Sequence, residues 1–169
     1  LEEADECHPF TLNTGRIRDH WHTMTRTGKS ARLSAHIAEP FCEIHPADAD
    51  KAGIGDADLV NVEGANGRSI LARALLTERQ MRGAIFVPMH WTGETAPSAR
   101  VDRLVSSRTD PISGQPALKM ARVSLNRHTA AAFAPDLLGV GVGGAAEVLC
   151  PVVQAGRRVG DHLREVGRE

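Results

Sequence analysis

The chain has 169 residues, with 16 glycines, 9 prolines, no tyrosine and a formal net charge of −1 at pH 7. That length fits one domain of ordinary size with room for an appendage, and the raised glycine and proline content suits a turn-rich β or α/β domain better than a helix bundle. Near-neutrality argues against a general nucleic-acid binder, which needs a broad basic face, and no apolar run approaches the ~20 residues that span a bilayer.

The three cysteines, Cys7, Cys42 and Cys150, are widely spaced and form no Cys-x-x-Cys pair. Their odd number favours a reducing compartment and argues against a disulfide framework or an iron–sulfur cluster within this segment. The chain does not begin with Met and carries no signal peptide. Its acidic lead-in over residues 1–8 (Glu2, Glu3, Asp5, Glu6) runs straight into a strand, as in a domain cut from a longer protein.

In chain order, a short strand around Phe10 and Leu12 breaks at Thr14-Gly15. From Thr14 to His36 there are five Lys/Arg (Arg16, Arg18, Arg26, Lys29, Arg32) against one acid, Asp19. This stretch has little apolar periodicity, yet it supplies His20, Trp21, His22, Thr23, Met24 and Thr25. Backbone amides beside arginine forks are what a phosphate or pyrophosphate requires; a solvated basic loop is the competing reading. Residues 27–39, with Leu33 and Ile37 four apart, form a short helix or cross the surface.

Pro40 introduces Phe41-Cys42-Glu43-Ile44, a strand by alternation. His45 to Gly53 reads as one short helix, with Pro46 at its first position and Gly53 as its stop. Gly55 to Asp58 makes a turn before the strand Leu59 to Glu63, and Asn66-Gly67 signals a hairpin. The run Ser69 to Thr77 could form a helical face, but the preceding strand and tight turn favour a strand. Ala84 to Met89 has the length of a buried strand, and Ala121 to Leu125 alternates again. Between them, His90 to Lys119 is a long aperiodic stretch of the kind that is functional or disordered. Strands joined by hairpins and single-turn helices point to a small barrel or sandwich rather than a doubly wound sheet. Residues 127–169 are Ala/Gly-rich, end in an expected helix over Val152 to Val166, and read as an appendage, helical or poorly ordered.

Three motifs fail on context. Gly139-x-Gly141-x-x-Gly144 spells a dinucleotide fingerprint, but only 25 residues follow it, too few to complete a βαβ unit. His20, His22, His36, His45 and His90 lack acid or thiol partners at metal-ligand spacing, so no protein-ligated metal is expected; His45 serves the turn before Pro46. The acid pairs Asp48/Asp50 and Asp56/Asp58 occupy helix-start and turn positions, where capping explains them. No catalytic residue is assigned, and binding is favoured over catalysis.

The loop Leu12-Asn13-Thr14-Gly15-Arg16-Ile17-Arg18-Asp19-His20-Trp21-His22-Thr23-Met24-Thr25-Arg26-Thr27 closely resembles one in bacterial assimilatory nitrate reductases. There it belongs to the C-terminal molybdopterin-dinucleotide-binding domain of the dimethyl-sulfoxide-reductase family of molybdenum enzymes. Four further stretches resemble that family in the same order: Glu43 to Ala49, Gly55 to Val60, Gly83 to Trp91, and Thr109 to Lys119. Together the five cover about residues 9–126, and their common register makes the resemblance specific.

The resemblance implies a mainly β fold with short helices, a six-stranded double-psi β-barrel like that of aspartate decarboxylase, over residues 9–126. It implies a cofactor, molybdenum bis(molybdopterin guanine dinucleotide), shared with other domains, and an iron–sulfur cluster elsewhere in the full protein. Carried over by position, Thr14, Gly15 and Arg16 lie on a pterin–phosphate segment, and His20, Trp21, His22, Thr23, Met24 and Thr25 continue along it. His90 and Trp91 stand on the facing loop. Asp102, where relatives often have Asn, lies near a guanine or pterin amine as an acceptor only, and Lys119 closes the site. The implied partners are the remaining domains of the same chain and an electron donor protein or domain, with no nucleic acid and no membrane, in the cytoplasm. The implied function is cofactor binding for nitrate-to-nitrite reduction, the fragment alone being inactive. The rivals are the same domain of a formate dehydrogenase or periplasmic nitrate reductase, and a non-catalytic barrel subunit or interaction module.

Overall fold

The computed structural model describes residues 6–129. The glycine tract, the expected helix from Val152 and nearly all of the appendage lie outside these residues. Six strands close a barrel: β1 (Phe10–Gly15), β2 (Phe41–Ile44), β3 (Leu59–Gly64), β4 (Ser69–Leu76), β5 (Ala84–Pro88) and β6 (Ala121–Arg127). Around the barrel the order is β1-β5-β2-β4-β3-β6. Two pairs are parallel, β1 with β5 and β2 with β4; the other four are antiparallel. This is the expected six-stranded architecture, and the crossing parallel pairs distinguish it from a simple meander.

The alternation that marked each strand is the alternation of its burial. In β4, Ile70, Ala72 and Ala74 point into the core while Leu71, Arg73 and Leu75 do not, which resolves the helix–strand ambiguity of that run. Leu12, Ile44, Val60, Val62, Ile85, Val87 and Val123 are fully buried with them. Each such side chain contributes roughly 1.5–3 kcal/mol on leaving water.

Two short helices decorate the barrel. Residues 27–39, for which a short helix and a surface crossing were alternatives, contain a 3-10 turn (Thr27–Lys29) followed by the short helix α1 (Ala31–Ser34). In α2 (Pro46–Lys51), His45 is the N-cap and its Nδ1 accepts the Ala47 amide hydrogen at 3.1 Å. Gly53, at φ +65°, carries the chain out of the helix in the left-handed conformation that glycine tolerates best.

Capping accounts for the acids only in part. Asp58 accepts from the Gly55 amide within its own turn at 2.8 Å, but it also pairs with Arg127 of β6 at 2.9 Å. Asp56 accepts from the Leu76 amide at 2.9 Å. Asp48 is buried and accepts from the Gly83 amide at 2.7 Å, tying α2 to the start of β5. These carboxylates staple elements distant in sequence. Cys42 is a free core thiol whose pKa is driven far upward by burial. Among the described residues no helix is long and apolar enough to cross a membrane.

Candidate functional site

Because β1 and β5 run parallel, with Thr14 beside Val87 and Gly15 beside Pro88, both leave the barrel at one end. The Gly15 carbonyl accepts the Met89 amide hydrogen at 3.0 Å, so the pairing continues one step beyond the strands. The basic loop after β1 and the His90-Trp91 segment after β5 are therefore neighbours, as the resemblance implies.

The contact between them is made by His90, which is completely buried. Its Nε2 accepts the Ile17 amide hydrogen at 2.9 Å. Its Nδ1 faces the His22 carbonyl, which can only accept, so the ring is the Nδ1–H tautomer. Burial holds its pKa below the ordinary histidine value; the hydrogen bond to the His22 carbonyl opposes that shift, and the electrostatic influence of His20, His22 and Arg16 adds to it. Both ring nitrogens are thus spent on the loop's backbone, leaving none for a ligand.

His20 is turned inward too. Its Nδ1 meets the Thr27 hydroxyl at 2.8 Å, and its Nε2 donates to the Ile37 carbonyl at 3.0 Å. Its ring stands edge-on to Trp91, with centroids 5.0 Å apart, and to His90 at 5.7 Å. Trp91 and Met24 are buried beside this cluster's backbone as apolar anchors. The loop keeps its course through two non-glycine residues at positive φ, His22 at +27° and Met24 at +58°. Such conformations cost of order 1–3 kcal/mol each and persist only where the surroundings over-determine them; the two buried imidazoles and the Met24 anchor do that here.

The outward face is different in kind. Arg16, Thr23 and Thr25 are exposed and make no side-chain hydrogen bond or ion pair among the described residues. Trp21 is half exposed, with His22 edge-on at 4.7 Å and the Arg26 guanidinium 5.2 Å from its ring centroid, a cation–π contact. A cleft of about 430 Å³ opens here and collects four of the expected residues, Thr14, Thr23, Trp91 and Asp102. Thr14 is mostly buried, and its hydroxyl donates to the Leu118 carbonyl at 2.8 Å. Thr23 also borders a second cleft, of about 470 Å³, with Met24, Thr25 and Lys29. Gly15 packs under the Phe86 ring, where an added Cβ would stand 3.0 Å from Cε2.

One expected residue, Lys119, lies apart from the main cleft. Lys119 lines a separate cleft of about 650 Å³ with Arg108, Asp110 and Gln115. Asp102, in a 3-10 turn (Val101–Leu104), is gripped by Arg100 through two bonds of 3.0 and 3.1 Å. Its carboxylate keeps lone pairs for an amine, but any ligand there meets the pair rather than the acid alone. Arg100, Met89, Thr92, Gly93 and Leu118 line the main cleft and went unrecognised in the sequence; the two-residue spacing of Arg100 and Asp102 was the one available signal. Among the described residues no three His, Cys, Asp or Glu side chains converge as a metal site would require.

Residues 10–122 match the family described as the molydopterin dinucleotide binding domain. A nitrate reductase of Klebsiella oxytoca is 44% identical over 122 residues, 72% of this chain and 14% of that protein. The assimilatory nitrate reductase catalytic subunit of Bacillus subtilis is 37% identical over 73% of this chain and 17% of its own length. The F420-dependent formate dehydrogenase subunit alpha of Methanocaldococcus jannaschii is 38% identical over 75% of this chain and 18% of its own length. The chain thus spans less than a fifth of each of these relatives. Among solved structures, acetylene hydratase from Pelobacter acetylenicus superposes with a TM-score of 0.64 at 18% identity, over 72% of this chain and 18% of that one, a likeness of fold. With its barrel, its paired loops and a match over most of its length, the chain belongs to the molydopterin dinucleotide binding domain family.

Proposed function

We propose that this domain holds the dinucleotide portions of a molybdenum bis(molybdopterin guanine dinucleotide) cofactor in an enzyme that reduces nitrate to nitrite. The observation that carries this reading is the division of labour in the basic loop. His20 and His90 are consumed in shaping it, while Arg16, Thr23 and Thr25 face outward with unspent donors. A pyrophosphate is the kind of group such donors fit, and the cleft beside Trp91 and Asp102 has a mostly apolar lining and an acceptor, suited to a heterocycle bearing amines. When bound, the cofactor supplies the oxygen-atom-transfer chemistry at its molybdenum; this chain's residues grip the opposite, nucleotide end. The 44% identity to the Klebsiella nitrate reductase favours nitrate as the substrate. The remaining domains of a longer chain, an iron–sulfur cluster within them, an electron donor and a cytoplasmic setting complete the proposal.

The identity to the methanogen formate dehydrogenase supports a second reading, the same domain in a formate-oxidising enzyme. Two experiments decide. Titrating the chain with guanosine diphosphate should move amide resonances across Arg16 to Thr25 and around Trp91 and Asp102; shifts confined elsewhere would refute the cleft assignment. An enzyme carrying this domain, assayed with reduced viologen and nitrate and separately with formate and oxidised viologen, should turn over only the first pair.

A further inference from the structure

One imidazole spans the two ends of the loop between Ile17 and His22. We infer that His90 is a positioning residue: as the Nδ1–H tautomer it fixes the loop from which Arg16 and Thr23 reach the nucleotide. The inference rests on the dinucleotide reading for its functional half and on geometry alone for its structural half.

The geometry is specific to one protonation state. Nε2 must carry a lone pair to accept from Ile17, and Nδ1 must carry a hydrogen for the His22 carbonyl. The other neutral tautomer reverses both roles and loses both bonds. Protonation keeps the His22 bond and turns the Ile17 bond into two donors facing each other. The ring is fully buried, so no water replaces a lost partner without opening the cluster. At the clamp's second end and just beyond it, His22 and Met24 adopt positive φ. Releasing the Ile17 end therefore lets the backbone relax away from the course that sets Arg16 and Thr23 outward. The charged and titratable groups facing the ring are Arg16, His20 and His22, all on the loop it holds. They are cationic when charged and disfavour protonation, in the same direction as burial. A histidine whose folded pKa is depressed binds fewer protons folded than unfolded below its ordinary value of 6.5. The clamp is thus complete above that value and is lost as pH falls through the lower, folded one.

The test uses the whole chain and reads the clamp and the ligand separately. Imidazole nitrogen chemical shifts of the unaltered protein should show the Nδ1–H form of His90, and the Ile17 amide should exchange slowly with solvent. Lowering pH should speed Ile17 exchange, relative to barrel amides such as that of Ile85, along the titration of His90. H90Q places an acceptor near the position of Nε2, whereas H90N places a donor near that of Nδ1 only. We expect Ile17 protection to survive better in H90Q and to fall by about tenfold or more in H90N, with guanosine diphosphate affinity falling in parallel. An Nε2–H tautomer, or Ile17 exchange that is fast at neutral pH, overturns the clamp without any variant needing to fold. Unchanged nucleotide affinity in H90N despite faster Ile17 exchange overturns the positioning role. Failure of the unaltered protein to bind the nucleotide overturns the dinucleotide reading, and with it the functional half of the inference; tautomer and exchange still decide the clamp.

Discussion

The Thr14 hydroxyl donates to the Leu118 carbonyl at 2.8 Å, across 104 residues of sequence. Thr14 belongs to β1, and Leu118 to the segment that leads into β6, so one bond joins the first and last parts of the cleft wall. Leu118 is exposed, and Met120, two residues on, holds φ +69° and donates its amide hydrogen to the Leu12 carbonyl of β1 at 2.9 Å. Thr14→Val keeps the shape and removes the donor. It should destabilise the domain by about 1–2 kcal/mol and weaken guanosine diphosphate binding. Denaturant unfolding with calorimetric titration checks both; unchanged values would show that the bond is incidental.

Arg16 offers the cleanest separation of binding from folding. It is exposed and makes no hydrogen bond or ion pair among the described residues, so Arg16→Ala should change stability by no more than about 0.5 kcal/mol. If it meets a phosphate oxygen, nucleotide affinity should fall about tenfold, with a shallower salt dependence. An Arg16→Ala protein that binds normally would move the phosphate site away from the loop.

Acid should act at Asp58. The Gly55 amide and, after it, the Arg127 guanidinium hold this carboxyl below its ordinary 3.8. Below that value the unfolded chain binds the proton that the folded chain refuses. The contribution is present above 3.8 and is lost as pH falls through the lower folded pKa. Melting temperature measured from pH 6 to pH 2 should drop less steeply in Asp58→Asn than in the unaltered chain. Superimposable slopes would mean that the tie does not contribute.

In the barrel, Ile85 is fully buried on β5, between β1 and β2. Ile85→Ala should cost about 2–5 kcal/mol, since the surrounding strands cannot collapse into the cavity. The same strand carries His90 at its exit, so the Ile17 amide should also exchange faster. Urea unfolding and hydrogen exchange together check this coupling.

Much of the scaffold was legible without coordinates, because strands with one face in the core must alternate. Phe41 to Ile44, Leu59 to Glu63 and Ala121 to Leu125 each showed that alternation and each form a strand. Pro46 and Gly53 bound the helix for reasons local to the backbone, and Asn66-Gly67 turns β3 into β4 with Gly67 at φ +72°. The family resemblance placed the loop after β1 opposite the segment after β5, which local patterns could not do.

The residue inventory of the site was likewise legible: arginines, histidines, threonines and a tryptophan crowded beside a glycine turn. What the inventory could not say is which of them are spent. His20 and His90 read as ligand donors, yet their nitrogens are occupied by Thr27, Ile37, Ile17 and His22. Asp102 read as an acceptor for a ligand amine, and the structure also pairs it with Arg100. Chain chemistry by itself determined the strands, the turns and the stock of polar groups. Only the tertiary structure decided their allocation, because a hydrogen bond between Ile17 and His90 joins residues 73 apart. The parallel pairing of β1 and β5 brings them together, and burial then forces every inward nitrogen to find a partner within the protein.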